Sequence, residues 1–146
     1  MATIGVIGLL VAFAGVAVSV VCLLAGALLA RKRSGGIGET LTWGGHIGVI
    51  LSAVALTFCC GILVFCFMTG DMSIEYVLRQ HSDASGELAW LYKLSGLWAG
   101  REGSLLFWAW LIAVFNAVLV FATRKNARPL DNGALAISSL VLTAFV

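Results

Sequence analysis

The sequence predicts an all-α integral membrane protein. The expected form is a polytopic helix bundle with three complete transmembrane helices, a truncated fourth and short interfacial helices in one connecting segment, all within a single domain over 1–146. Composition is the first reason: 61% of residues are hydrophobic and 11% charged, against about 45–50% and about 25% in soluble domains. Charge segregation is the second. Residues 2–30, 40–70 and 103–123 contain no Asp, Glu, Lys or Arg, and each stretch reaches the ~20 apolar residues that cross ~30 Å of hydrocarbon. The same composition excludes other classes. A net charge of +2 from nine basic residues scattered over several loops makes no phosphate-tracking patch, so no nucleic-acid partner is expected. All four cysteines lie inside apolar stretches, which excludes a disulfide scaffold.

The first helix is expected over about 4–30. No basic residue precedes its apolar run, which ends in Arg31-Lys32-Arg33; that pattern reads as a membrane helix with a cytoplasmic stop rather than a cleaved signal peptide. Gly15 and Ser19, four apart, put small residues on one face, a spacing that lets another helix approach closely; ordinary tolerance of small residues in membrane helices is the first reading of them. The glycines at 35, 36, 38, 44 and 45 follow no strand and open no βαβ unit, so a dinucleotide-binding loop is excluded. The second helix is expected over about 43–69 and the third over about 105–123. Pro129 and Asn132-Gly133 then signal a turn, and a fourth apolar run begins at Ala134. Its thirteen residues to Val146 would reach only ~20 Å, hence the expectation of a truncated helix.

Lys/Arg placement sets the expected orientation. The 31–39 and 124–132 loops carry three basic residues each, whereas 71–104 mixes Arg79, Lys93 and Arg101 with five acidic residues. The two basic loops are expected inside, and the N-terminus and the 71–104 segment outside. Within that segment Ile74, Val77 and Leu78, and again Leu88, Leu91, Leu94 and Trp98, keep helical spacing. Two short amphipathic helices at the membrane surface follow, broken over 81–86. Trp90, Trp98, Trp108 and Trp110 gather near that interface, as an aromatic belt or as a flat shelf for a planar apolar ligand.

The stretch Trp98-Ala-Gly-Arg-Glu-Gly-Ser-Leu-Leu-Phe-Trp108 holds the most information. Gly100 and Gly103 permit a tight turn or close packing. Glu102 and Ser104 suit the first turn and N-cap of the third helix. Arg101 does not, because a cation is unfavourable at a helix N-terminus, and this points to an anionic partner on another segment or on a ligand. Elsewhere the chemistry is sparse. His46, within a turn of the inner interface, reads first as an imidazole reaching water or a headgroup and second as a haem or metal ligand. His81 is an outer-loop candidate without a partner histidine. Cys22, Cys59, Cys60 and Cys66 read as small apolar filler, and Cys59 and Cys66, sharing a face with no histidine, make a poor zinc site. No metal site and no catalytic residue is expected.

Together, Asp71-Met-Ser-Ile-Glu-Tyr-Val-Leu78 and Trp90-Leu-Tyr-Lys-Leu-Ser-Gly-Leu-Trp98 running on to Trp108 resemble the N-terminal part of the CcmF/NrfE family of cytochrome c-type biogenesis proteins, the haem lyase components of a multi-subunit maturation system. The resemblance covers essentially the whole chain and about the first quarter of the family's length. Two departures stand out: Arg101 replaces a frequent His, and Ala99 replaces a Gly. The family's Trp-rich motif and its four haem-ligating histidines would lie beyond residue 146. The resemblance therefore implies part of a haem lyase, with haem as the cofactor of the complete protein but its ligands outside this chain. Trp98, Arg101, Glu102, Gly103 and Ser104 become the candidate haem-platform residues, with Trp98 packing a haem face or edge and Arg101 pairing a propionate. Implied partners are the remainder of the lyase, a haem chaperone, apocytochrome c with its thiol-handling maturation subunit, and membrane lipid. The implied location is the bacterial cytoplasmic membrane, multi-pass. A reading from a different class stays open on the residues alone: a purely structural subunit of a transporter or respiratory complex, with no dependence on haem.

Overall fold

A computed structural model of the chain describes residues 2–31, 36–80, 86–123 and 129–146. Among these there are six helices and no strand: α1 (Ala2–Arg31), α2 (Ile37–Thr69), α3 (Glu75–Gln80), α4 (Ala89–Ala99), α5 (Arg101–Thr123) and α6 (Pro129–Thr143). Three of them, over Thr3–Leu29, Ile37–Thr69 and Arg101–Thr123, are long and apolar enough to cross a membrane. The basic clusters at 32–33 and 124–128, and His81, lie outside the described residues.

Three helix starts differ from the expectation. α2 begins at Ile37 rather than near Trp43. Its polar first turn is closed by the Thr40 N–H and hydroxyl, which both donate to Gly36 O at 3.1 Å. Threonine hydroxyls that bond the backbone locally let a polar, glycine-containing stretch join a helix. α6 begins at Pro129, because proline at the first helical position loses no hydrogen bond and brings its φ already set; it opens the helix where a turn was expected. α5 begins at Arg101 rather than Leu105. The α2 end is a left-handed Gly70 (φ 70°, ψ 26°), with the Asp71 N–H donating back to Cys66 O at 3.0 Å, a glycine-terminated closure. Asp71 Oδ1 then accepts the Ser73 N–H at 3.0 Å, an Asx turn that leads into α3.

α1 and α2 form the most closely packed pair, α5 lies on α2, and α6 closes the ring against α1 and α5. The α1–α2 seam is made of small residues. A Cβ on Gly48 would stand 2.7 Å from Gly15 O and 2.9 Å from Ser19 N, and one on Gly26 would stand 3.2 Å from Gly38 O. Backbones therefore meet directly, the dispersion-driven packing that membrane helices use in place of the hydrophobic effect. Gly15 and Ser19 are part of that seam, so their spacing has a packing role.

The bundle core is layered. Leu23, Val49, Val120 and Leu135 form one apolar layer, and Val16, Leu56, Ala113 and Leu142 belong to another. One helical turn from each lie Ser19, Ser52, Asn116 and Ser139, one from each of the four bundle helices, all at most 4% exposed. Ser19 and Ser139 hydroxyls bond across α1 and α6 at 3.2 Å, and the Ser52 hydroxyl donates to Val49 O at 2.8 Å. Asn116 Nδ2 is buried without a partner among the described residues.

Candidate functional site

The candidate stretch forms the joint between α4 and α5. Gly100 is extended (φ −99°, ψ 161°), so the chain turns there and re-enters helix at once, with the Ser104 N–H donating to Gly100 O at 3.0 Å. Arg101, Glu102, Gly103 and Ser104 are therefore the first turn of α5. Ser104 is not its N-cap: its hydroxyl donates to Arg101 O at 2.9 Å, inside the helix. Glu102 does occupy the first turn, where the helix dipole favours an anion.

Tyr76 holds this joint in place, a role the sequence pattern did not single out. Its hydroxyl donates to Gly96 O at 2.8 Å and accepts the Gly100 N–H at 3.1 Å, tying α3 to the end of α4. Its ring meets Phe67 edge-on at 6.0 Å, over a cluster with Cys66 and Val77. Three glycines make the space. A Cβ on Gly96 would stand 2.6 Å from the Phe67 ring, one on Gly100 would stand 2.7 Å from the Tyr76 ring, and one on Gly103 would collide with the Tyr76 hydroxyl and Leu97 O. Gly103 is thus a packing residue beneath the joint. The signal for Tyr76 was present only indirectly, in three glycines, Gly96, Gly100 and Gly103, gathered where α4 ends and α5 begins, since small residues permit close packing.

The charged pair points outward. Arg101 and Glu102 side chains are 86% and 68% exposed, 3.9 Å apart. This is the ion pair Arg101 makes among the described residues, so no carboxylate of another described segment answers its charge. Glu102 and Tyr76 stand on a ridge between two grooves. One, of about 440 Å³, is walled by apolar residues of α1, α2 and α5, including Leu9, Ile62 and Leu106. The other, of about 390 Å³, is polar and is lined by Glu75, Arg79 and Gln80 as well; there Arg79 is paired with Glu75.

Aromatic side chains continue the surface. Trp98 is 45% exposed and lies tilted on Phe107 at 5.9 Å. Phe107 in turn meets Trp110 at 5.7 Å, and the Trp110 indole N–H donates to Thr57 at 3.0 Å. Trp90, Tyr92 and Trp108 are exposed. Of the expected stripe, Leu88, Leu91 and Trp98 are exposed while Leu94 is half-buried, and Gly96 and Leu97 of α4 are buried against the protein. The joint thus presents a cation, an anion and an aromatic face on a backbone that Tyr76 fixes. His46, the histidine among the described residues, lies at the other end of the bundle with Nε2 3.1 Å from Asn132 Oδ1.

Comparison with known proteins gives a consistent set. The chain is 37% identical over 100 residues to the probable cytochrome c-type biogenesis protein NrfE of Escherichia coli, covering 68% of this chain and 18% of that protein. It is 31% identical to the cytochrome c-type biogenesis protein CcmF of Pseudomonas aeruginosa, over 62% of this chain and 13% of that protein. With the cytochrome c-type biogenesis protein CycK of Rhizobium meliloti it shares 32% identity over 63% of this chain and 13% of that protein. The chain therefore spans less than a fifth of the length of these relatives. No family model matches it, and no solved structure does.

Proposed function

This chain belongs to the CcmF/NrfE family of cytochrome c-type biogenesis proteins, and from that premise we propose that it forms part of a membrane haem lyase, which handles haem and attaches it to apocytochrome c on the outer face of the bacterial cytoplasmic membrane. The observation that carries the reading is the shared sequence with proteins named for that process over most of the chain. The joint supports it in a specific way. Arg101 is held on a braced turn and left without a structural partner beyond an exposed neighbour, three residues after Trp98, whose ring is exposed. In this reading Arg101 meets a haem propionate or a carboxylate of the remaining protein, and Trp98 packs a haem edge. Glu102 and Ser104 shape the first turn, and Gly103 lets it seat. The iron is held elsewhere, by residues of the remaining protein. Haem chaperone, apocytochrome c with its thiol-handling maturation subunit, and membrane lipid are the partners this role requires.

Arg101→Gln, introduced into the complete maturation system, tests the site. The expected result is a covalent cytochrome c yield well below wild type with membrane insertion unchanged; Arg101→His should retain part of the yield, since the resemblance implies that His is accepted there. A wild-type yield from Arg101→Gln would make the residue a solvated surface charge and remove the platform assignment. A purely structural subunit would show no haem dependence in any variant.

A further inference from the structure

At the end of the bundle opposite the α4–α5 joint, a groove of about 480 Å³ runs between α2 and α5, closed by Asn132 of α6. Its α2 wall is graded. Glu39, Trp43, His46, Ile47 and Ile50 line it at i, i+4, i+7, i+8 and i+11, one continuous helical stripe. Read from the helix start inward, the chemistry passes from carboxylate to indole to imidazole to aliphatic, over about 16 Å at 1.5 Å per residue. Across the groove stand Val120 and Phe121. Trp43 is 69% exposed and Phe121 59%, and Glu39 is exposed as well, so the groove opens sideways to whatever surrounds the bundle. Glu39 is its charged residue among those described.

We propose that this groove binds one phospholipid with a primary-amine headgroup, of the phosphatidylethanolamine class. The order of groups along α2 matches such a lipid in both polarity and length. The ammonium meets the Glu39 carboxylate and the face of Trp43, an aromatic ring suited to a cation. One to two turns deeper the Asn132 amide faces the level of the phosphate and ester oxygens. Its oxygen is taken by His46, which leaves its NH₂ donors for those oxygens. An acyl chain then lies along Ile47, Ile50 and Phe121. A soluble cation would leave these aliphatic walls without a use. An anionic lipid would place its charge against Glu39, the charged residue on the described groove wall, so complementarity to that carboxylate selects the amine head.

The test is native mass spectrometry of the whole protein extracted from its own membrane and equilibrated with equal amounts of phosphatidylethanolamine and phosphatidylglycerol. Wild type should retain the ethanolamine lipid over the glycerol lipid by about fivefold, the scale of one charge-assisted headgroup contact. Glu39→Gln should bring that ratio close to one, and Trp43→Leu should lower ethanolamine-lipid retention, while Glu87→Gln at the other end of the bundle leaves both unchanged. Equal retention of the two lipids by wild type, preference for the glycerol lipid, or a ratio unmoved by Glu39→Gln would each overturn the proposal.

Discussion

Arg101 and Tyr76 show how differently two residues of one short motif are used. Arg101 is 86% exposed and its pairing with Glu102 at 3.9 Å is the kind of surface contact worth well under about 1 kcal/mol. Its unfavourable place in the first turn costs a similar small amount, so folding neither requires nor forbids it, and its chemistry is free for a ligand or partner. Tyr76 is the opposite case, with a hydroxyl bonded in both directions to α4 and the α4–α5 turn. Tyr76→Phe keeps the ring against Phe67 but leaves Gly96 O and the Gly100 N–H without that partner, a loss of about 1–3 kcal/mol if water does not replace it. The expected outcome is faster proteolysis within 86–100 in membrane vesicles, with cytochrome c yield reduced in parallel. Arg101→Gln should leave the protease pattern untouched. An unchanged cleavage rate in Tyr76→Phe would mean that the glycine packing alone fixes the joint.

The elements divide by how local their causes are. The three long helices were legible because charge-free runs of this length have few alternatives in lipid. Helix starts were misplaced wherever polar residues join a helix through local hydrogen bonds, as at Thr40 and Ser104, or where proline opens α6 at 129. Tyr76 and the three glycines beneath the joint were not legible as a unit, since only tertiary packing brings α3 to Gly96 and Gly103. The polar layer is similar. Ser19, Ser52, Asn116 and Ser139 each look incidental within an apolar run and align only when four helices stand side by side. Asn116 carries the clearest energetic consequence, since its Nδ2 is buried without a partner among the described residues. Asn116→Leu keeps the number of side-chain heavy atoms and the branch point and removes that cost, so it should raise resistance to SDS-induced unfolding. Ser19→Ala breaks the Ser139 bond and should lower it by the ~0.6 kcal/mol typical of interhelical membrane hydrogen bonds. If Asn116→Leu destabilises the bundle, then the amide has a partner of its own.

For the whole molecule, the question that decides between readings is which side of the membrane the α4–α5 joint faces. From the Lys/Arg asymmetry we propose that 71–104 lies outside. A single cysteine at Ser82, in a background free of the four native cysteines, should react with an impermeant thiol reagent in intact spheroplasts. Reaction only after lysis would turn the joint inward and separate it from outer-face haem attachment. The bundle also implies an order of events during synthesis. The α1–α2 seam is complete with those two helices alone, backbone on backbone, so the hairpin can close as soon as both have entered the bilayer. The Ser52 hydroxyl is satisfied from that moment by its own helix. Ser19 is not: its partner is Ser139, 120 residues further along the chain. Until the ribosome delivers α6, the nascent hairpin displays the Ser19 hydroxyl within an apolar helix, and α6 on arrival is guided to the place where that hydroxyl is answered.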